Sequence, residues 1–459
     1  MAPPPMDDSK ESIADDPASR DAFSNRVAVS FVTQILTAGL GIFNGVILAR
    51  LIGPSGKGEY YLLTLLPPTL MVLGQLGMPQ AFAFFAARGQ TRGLVRQAII
   101  LTGAVSIPIL LVTLMFLPIV QSLFPAGMAQ VAIVAPLLAL PLLLSSTLMT
   151  AIVVGRQAVR WLALVNICFS LSATGLILLL VGALGLGVGG ALIAFIATTT
   201  LQAVGFLIGA IQVSRTTPSS RSVSFRDLFR RGLPFYPGSL TQFFGYRIDV
   251  YLLAWLLAEP SAPLGYYSLA VSMAELMFFF PNAVSTFFFP HVAGLSPEAS
   301  ARQVPLVSRV TLILTIVVGL VLAPVATLAI FLVLPAFGPS LAPLFILLPG
   351  VVAVSISKVL GGYVSGLGRS GLNSFVNIVT VVSNVALNIV LIPTYGIVGA
   401  ALASLVSYSL SSAMYSVIAG RLAGVAAIEF WIPRPADVRF ATATAIGLVR
   451  RISQRVGRG

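Results

Sequence analysis

Apolar residues run along this chain in long blocks rather than in strict alternation with polar ones. The first block reads "VAVSFVTQILTAGLGIFNGVILAR" over 27–50, and comparable blocks recur almost to the end. A helix needs about 20 largely apolar residues to cross the hydrocarbon core, and these blocks reach that length. The pattern predicts twelve spans at 25–49, 59–84, 97–120, 128–153, 162–183, 188–212, 233–257, 265–289, 305–334, 341–365, 373–392 and 398–420. Turns such as "GRQAVRW" and "GLGRSG" separate several of them. Glycine and proline interrupt the second span at Pro67-Pro68, Gly74 and Gly77, the seventh at Pro237-Gly238 and Gly245, and the tenth at Gly361-Gly362. Bent helices are expected there, because neighbouring helices can re-satisfy the freed backbone groups.

Composition supports this reading. The 459 residues are 57% hydrophobic and only 9% charged, with a mean hydropathy of +0.98. A soluble domain carries about 25% charged residues. The formal net charge of +13 would suggest nucleic acid in a soluble protein, but here the placement of the charges matters more. Of the 27 Lys and Arg residues, 23 fall in the N-terminal tail, the even-numbered connections and the C-terminal tail, counting Arg26 and Arg309 in the first residues of the spans that follow them. The odd-numbered connections hold only Arg50 and Lys57, expected as interfacial anchors, and Arg247 and Lys358 lie inside spans. By the positive-inside rule both termini are expected in the cytoplasm.

The chain also repeats itself. "ILARLIGPSGKGEYYLL" at 47–63 is echoed by "LLAWLLAEPSAPLGYYSL" at 252–269, so that Tyr60-Tyr61 pairs with Tyr266-Tyr267 at an offset of 206. Val165-Asn166-Ile167 pairs with Val376-Asn377-Ile378 at 211, and "VGGALIAF" with "VGAALASL" at 210. A near-constant offset predicts two six-helix lobes in one orientation, related by an axis along the membrane normal, the parallel-repeat plan of transporters. The expected organisation is a disordered cytoplasmic N-tail at 1–24, an N-lobe at 25–213, a cytoplasmic linker at 214–232, a C-lobe at 233–420 and a basic C-tail at 421–459. In that tail "ADVRFATATAIGLVRRISQRVGRG" spaces its apolar residues near helical period among five arginines, which predicts an amphipathic helix on the anionic leaflet.

Several chemistries are excluded. "GPSGKGEYY" has the Gly-Lys of a phosphate loop, but Leu51 stands where its first glycine belongs and Gly58 where a magnesium-binding hydroxyl belongs. Neither a nucleotide nor a nucleic acid is expected as partner. One histidine, His291, and one cysteine, Cys168, leave no multi-residue metal site and no internal disulfide. His291 is expected at the interface and Cys168 as a small packing residue within its span. No catalytic residue, metal or cofactor is predicted.

The runs "GVILARLIGPSGKGEYYLL", "YRIDVYLLAWLL" followed by "LGYYSLA", and "LNIVLIPTYGIVGAALASLVSYSLS" resemble the oligosaccharide flippases (Wzx-like) of the multidrug/oligosaccharidyl-lipid/polysaccharide (MOP) superfamily. The resemblance covers roughly residues 22–425. It implies an all-α polytopic membrane protein of about 12 helices, alternating access between two lobes, and a polyprenyl-diphosphate-linked glycan as cargo. It also implies a bacterial cytoplasmic membrane, with polysaccharide polymerase and chain-length machinery as further partners.

Candidate site residues follow from the cost of burying polarity. A charge at mid-membrane costs about 2.5–3.5 kcal/mol on insertion scales, so such a residue is a functional candidate by default. Arg247, Asp249, Glu275 and Lys358 qualify, all in the second half. From the helical rise, Arg247 and Glu275 both lie about 15 Å below the outer end of their spans, and Lys358 about 25 Å. Two readings stand open: a brace between the seventh and eighth spans, or an arginine that meets the diphosphate or an acidic sugar. The first half offers amides instead, Gln34, Asn44 and Gln75 among them. These suit sugar hydroxyls or interhelical hydrogen bonds. Two rival functions remain. A cation- or proton-coupled antiporter of the same superfamily would use Asp249 or Glu275. A membrane glycan polymerase or ligase would need a larger outer loop than these connections offer.

Overall fold

The computed structural model describes residues 17–122, 124, 130–215, 222–435 and 437. Among them it is almost wholly helical, with fifteen α-helices. These are α1 (Pro17–Gly74), α2 (Met78–Ala87), α3 (Leu94–Met115), α4 (Leu117–Gln121), α5 (Gln130–Val134), α6 (Ala139–Gly155), α7 (Val159–Leu176) and α8 (Gly187–Arg215). They continue with α9 (Phe225–Gly232), α10 (Tyr236–Leu256), α11 (Ser261–Glu275), α12 (Phe279–Ala293), α13 (Pro297–Val333), α14 (Leu341–Gly366) and α15 (Ser370–Ala423).

Nine helical stretches of the described residues are long and apolar enough to cross a membrane. Two of them each contain two expected spans, because α1 and α15 run on through the first and eleventh connections. Both are kinked at a glycine with positive φ, Gly53 (69°) and Gly396 (56°), where an L side chain would be strained. The expected seventh span is α10, whose Arg247, Asp249 and hydroxyl-rich first turns keep it outside those nine. The glycines expected to interrupt the second span do so: α1 ends at Gly74 and α2 starts after Gly77. Helix α1 begins at Pro17, so 17–24 are helical rather than part of a disordered tail. The rest of the N-tail and the amphipathic segment 438–459 lie outside the described residues.

The chain divides into two compact units. One comprises Met1–Ile47, Leu66–Leu117 and Val131–Tyr236. Its core is a cluster of Met78, Phe82, Leu94, Leu144, Leu148, Ile152, Phe206 and Leu228. Helix α9 is started by a capping box in which Ser224 and Asp227 satisfy each other's backbone amides. Its Arg231 guanidinium lies 3.9 Å over the ring of Phe84 on α2.

The other unit comprises Leu48–Leu65, Pro118–Gln130 and Pro237–Gly459. Between apolar helices in lipid the drive to associate comes from close packing and hydrogen bonds rather than from water exclusion. The α14–α15 seam follows that rule. Ser357 and Ser412 share a 2.7 Å hydrogen bond, and Ser412 donates to the Ala353 carbonyl at 2.5 Å; beyond α15, Trp431 folds back and donates to Ser416 at 2.9 Å. Large apolar side chains instead cover the outside, among them Leu320, Leu332, Val382 and Val390, as expected of a lipid-facing surface. Cys168 is also exposed, which corrects its expected place as a packing residue. Lys57 is corrected the other way, since it is 9% exposed where an interfacial anchor was expected.

Candidate functional site: a charged cluster inside the second unit

Four helices and the segment Leu48–Leu65 bring the charged residues of the spans together. Helix α10 carries Tyr246, Arg247 and Asp249 within one turn. Helix α11 carries Tyr267 and ends at Glu275, where a 3-10 turn, Leu276–Phe278, redirects the chain toward α12.

The Arg247 guanidinium donates to Glu275 through both terminal nitrogens, at 2.8 Å to Oε1 and 3.4 Å to Oε2. It also donates to the Tyr61 hydroxyl at 3.4 Å. The two charged side chains are 26% and 34% exposed, so the pair is open on one side. Two residues along, Asp249 faces the protein and is buried. The Tyr267 hydroxyl donates to its Oδ2, and the Val250 amide donates to Oδ1 at 2.9 Å. Tyr61 and Tyr267 are counterparts in the internal repeat, and both copies end on this cluster.

Lys358 on α14 completes it. Its ammonium lies 4.6 Å from the Phe278 ring centre and 5.3 Å from that of Tyr246, and those two rings meet edge to face at 5.7 Å. An ammonium over ring faces is attracted by the quadrupole, by roughly 0.5–2 kcal/mol depending on desolvation. No carboxylate pairs with Lys358 among the described residues. Asp249, Tyr267, Glu275, Phe278, Ser404 and Tyr408 line a cavity of about 20 Å³, close to the space one water needs.

The arrangement suits binding rather than covalent chemistry. A guanidinium fork fits a carboxylate and a phosphate in the same bidentate manner, so Arg247 can exchange Glu275 for a phosphate oxygen without rebuilding its geometry. Among the described residues no group of three His, Cys, Asp or Glu side chains is placed to hold a metal.

The amide candidates belong to the first unit and are not gathered with one another. Asn44 is committed on both sides: its amide donates to the Ser170 carbonyl at 3.3 Å and its oxygen accepts from Thr174 at 2.6 Å. Those bonds tie α1 to α7. Gln34 is exposed, and Gln75 is buried at the break between α1 and α2. The aromatic partners Tyr61, Tyr246, Tyr267 and Phe278 were not singled out from the sequence as site residues. The repeated Tyr-Tyr pair was the available signal. The backbone of His291 lies in α12, and its side chain is outside the described residues.

Comparison with known proteins places this chain in a family. Residues 24–295, more than half of the chain, match the family described as "Polysaccharide biosynthesis protein". The chain is 25% identical over 408 residues to the probable low-salt glycan biosynthesis flippase Agl15 of Haloferax volcanii, covering 84% of this chain and 81% of that one. It is 25% identical over 179 residues to the probable flippase AglR of the same organism, 36% of each. Among solved structures it resembles the lipid II flippase MurJ in an inward closed conformation, with a TM-score of 0.63 at 14% identity over 85% of this chain and 87% of that one. It also resembles an inward-facing multidrug resistance MATE transporter of the MOP superfamily, with a TM-score of 0.62 at 15% identity over 86% and 98%. The fold is therefore the one shared by MurJ and that MATE transporter, and the chain belongs to the polysaccharide biosynthesis protein family.

Proposed function

We propose that this protein is a flippase that carries a polyprenyl-diphosphate-linked oligosaccharide from the inner to the outer leaflet of a cytoplasmic membrane, for export of a surface polysaccharide. The family match and the naming of Agl15 as a glycan biosynthesis flippase support the reaction class. The observation that carries the cargo is the Arg247–Glu275 pair, a bidentate, half-open guanidinium in a membrane-spanning unit. Glu275 holds the arginine while the site is empty, and a diphosphate displaces it. Lys358, held only by ring faces, supplies a second cation for the same anion. Release follows when Glu275 recaptures Arg247. Asp249, sealed by Tyr267, keeps the intervening turn of α10 in place.

The 23 basic residues of the tails and even-numbered connections orient both termini to the cytoplasm. The chain carries no phosphate loop, so the driving force comes from outside it. A diphosphate with two negative charges moving outward across an inside-negative potential gains about 2.3 kcal/mol per charge per 100 mV. That sum, roughly 5 kcal/mol, biases transfer without a coupled ion.

The test is reconstitution. Vesicles containing the purified protein and a fluorescent polyprenyl-diphosphate glycan are assayed for arrival of the probe in the opposite leaflet. Arrival should accelerate with an outward-driving potential and fall at least tenfold in Arg247→Ala. Transfer indifferent to both would overturn the reading.

A further inference from the structure

A second charged site lies in the first unit, on helices that do not contribute to the cluster of α10 and α11. An open groove of about 460 Å³ is lined by Thr91, Arg92, Gly93, Arg96, Ser214 and Arg215, and by the apolar side chains Val95, Ile99, Ile100 and Ile211. The start of α3 and the end of α8 meet there. None of the three arginines has an ion-pair partner among the described residues. Helix α3 begins without a side-chain cap, after Gly93 in the left-handed region. Leu94 and Gln97 donate to the Thr91 and Gly93 carbonyls, while the amides of Val95 and Arg96 between them have no acceptor among the described residues. The first turn of a helix left in this way is an anion site by dipole and by free donors.

Two further groups point to a ligand independently of the helix end. Thr91 is 1% exposed and its hydroxyl has no hydrogen-bond partner among the described residues. The Ser214 hydroxyl is also buried and has no partner among the described residues. A buried hydroxyl without a partner costs about 1–3 kcal/mol, and both line a groove that a ligand oxygen can fill. Below this polar rim Ile99 and Ile100 are exposed, at 52% and 44%. A single ligand that satisfies both halves has an anionic oxygen head and an apolar tail. Basic pockets between membrane helices recognise phosphate-bearing lipid heads on this physical basis.

We infer that the groove between the start of α3 and the end of α8 binds an anionic glycerophospholipid. Its phosphate sits among Arg92, Arg96, Arg215 and the α3 amides, and one acyl chain lies along Ile99, Ile100 and Ile211. The inference does not depend on which cargo the protein moves, because these residues belong neither to the charged cluster nor to its helices.

The experiment is native mass spectrometry of the purified full-length protein in detergent, titrated with dioleoyl phosphatidylglycerol or dioleoyl phosphatidylcholine. The wild type should retain phosphatidylglycerol at least tenfold better than phosphatidylcholine, and R92Q/R96Q/R215Q should lose that preference. T91V/S214A removes no charge and guards against misfolding of the triple variant; it should weaken phosphatidylglycerol several-fold. Equal retention of the two lipids by the wild type overturns the inference, as does an undiminished preference in both variants. Millimolar inorganic phosphate that strips phosphatidylglycerol completely would show a free-anion site and overturn the lipid assignment. A short prenyl diphosphate that outcompetes phosphatidylglycerol tenfold would show a cargo site and overturn it equally.

Discussion

At the residue scale the question is whether Arg247 braces two helices or meets the cargo. A charge swap separates the two, because it preserves the pair while moving the cation. R247E/E275R should restore normal membrane levels of protein, as the ion pair re-forms in reverse. It should leave glycan export as low as R247A, since the guanidinium no longer projects from α10. Export recovered by the swap to near the wild-type level would make the pair a brace and nothing more. A second test concerns Asp249, whose two oxygens each accept one hydrogen bond, from Tyr267 and from the Val250 amide. Tyr267→Phe removes a hydrogen bond to a carboxylate, worth roughly 1.5–3 kcal/mol. The double variant Y267F/D249N should lose less stability than the sum of the singles, because the two residues share one interaction. Additive losses in thermal melts would show that they act apart.

Much of this cluster was legible in the sequence, because four charges within apolar blocks stand out on cost alone. Its aromatic half was not. Tyr61 reaches Arg247 from 186 positions away, and nothing in an apolar block marks which tyrosine will do so. Cys168 and Lys57 were misread for a related reason. In a membrane protein both the lipid-facing and the protein-facing side of a helix are apolar, so hydropathy does not say which side a residue takes.

At the element scale the long helices α1 and α15 show how little a short connection tells about backbone path. "GPSGKGE" and "PTYGIVG" look like turns between spans, and in the structure each is a kink within continuous helix. The first also packs closely on α11. A Cβ at Gly58 would stand 1.8 Å from the Ser261 carbonyl oxygen, and one at Gly265 would stand 1.9 Å from that of Pro54. Backbone oxygen cannot move aside cheaply, so G58A and G265A should each lower the melting temperature or the folded yield. Gly238 of α10 has open space around its would-be Cβ. G238A should be neutral, or stabilising by about 0.5–1 kcal/mol, as a helix-interior alanine is. Equal melting temperatures for G58A, G265A and G238A would contradict the close approach.

The segment after α15 carries the other pairing that sequence reading did not anticipate. Arg309 of α13, in the first residues of the expected ninth span, donates to Asp437 at 2.6 Å and 3.2 Å and to the Glu429 carbonyl at 3.0 Å. Both partners are buried. Removing one side of such a pair costs about 3–5 kcal/mol, so D437N should expose 424–437 to proteolysis while leaving the spans intact. The Arg309 hydrogen bond holds the Asp437 carboxyl below its usual range. A depressed carboxylate stabilises the fold above its unfolded pKa of about 3.9 and loses that contribution as pH falls through the lower folded value. Protection of this segment should therefore be flat from pH 8 to pH 5 and decline only in stronger acid. A loss near pH 6 would contradict the ionised pair.

At the scale of the whole molecule, the two kinds of basic site differ in what surrounds them. Arg247 and Lys358 lie within a membrane-spanning unit, where a bare charge is costly and is held by a carboxylate or by ring faces. Arg92, Arg96 and Arg215 lie where the start of α3 meets the end of α8, without an ion-pair partner among the described residues. The internal repeat is visible in the same division. Both Tyr-Tyr copies reach one cluster, while the charges they meet exist in the second copy only, since Ile42 and Asn44 stand where Arg247 and Asp249 would map. Asn44 holds helices together at its position, which leaves the charged cluster to the second copy.

The most direct test of the account is made on cells lacking this gene: mass spectrometry of polyprenyl-diphosphate-linked glycans, with surface polysaccharide measured in parallel. The account predicts that a complete repeat unit accumulates on its lipid while the surface polymer disappears, and that wild-type protein reverses both whereas R247A reverses neither. Unchanged levels of both the lipid-linked glycan and the surface polymer would contradict it.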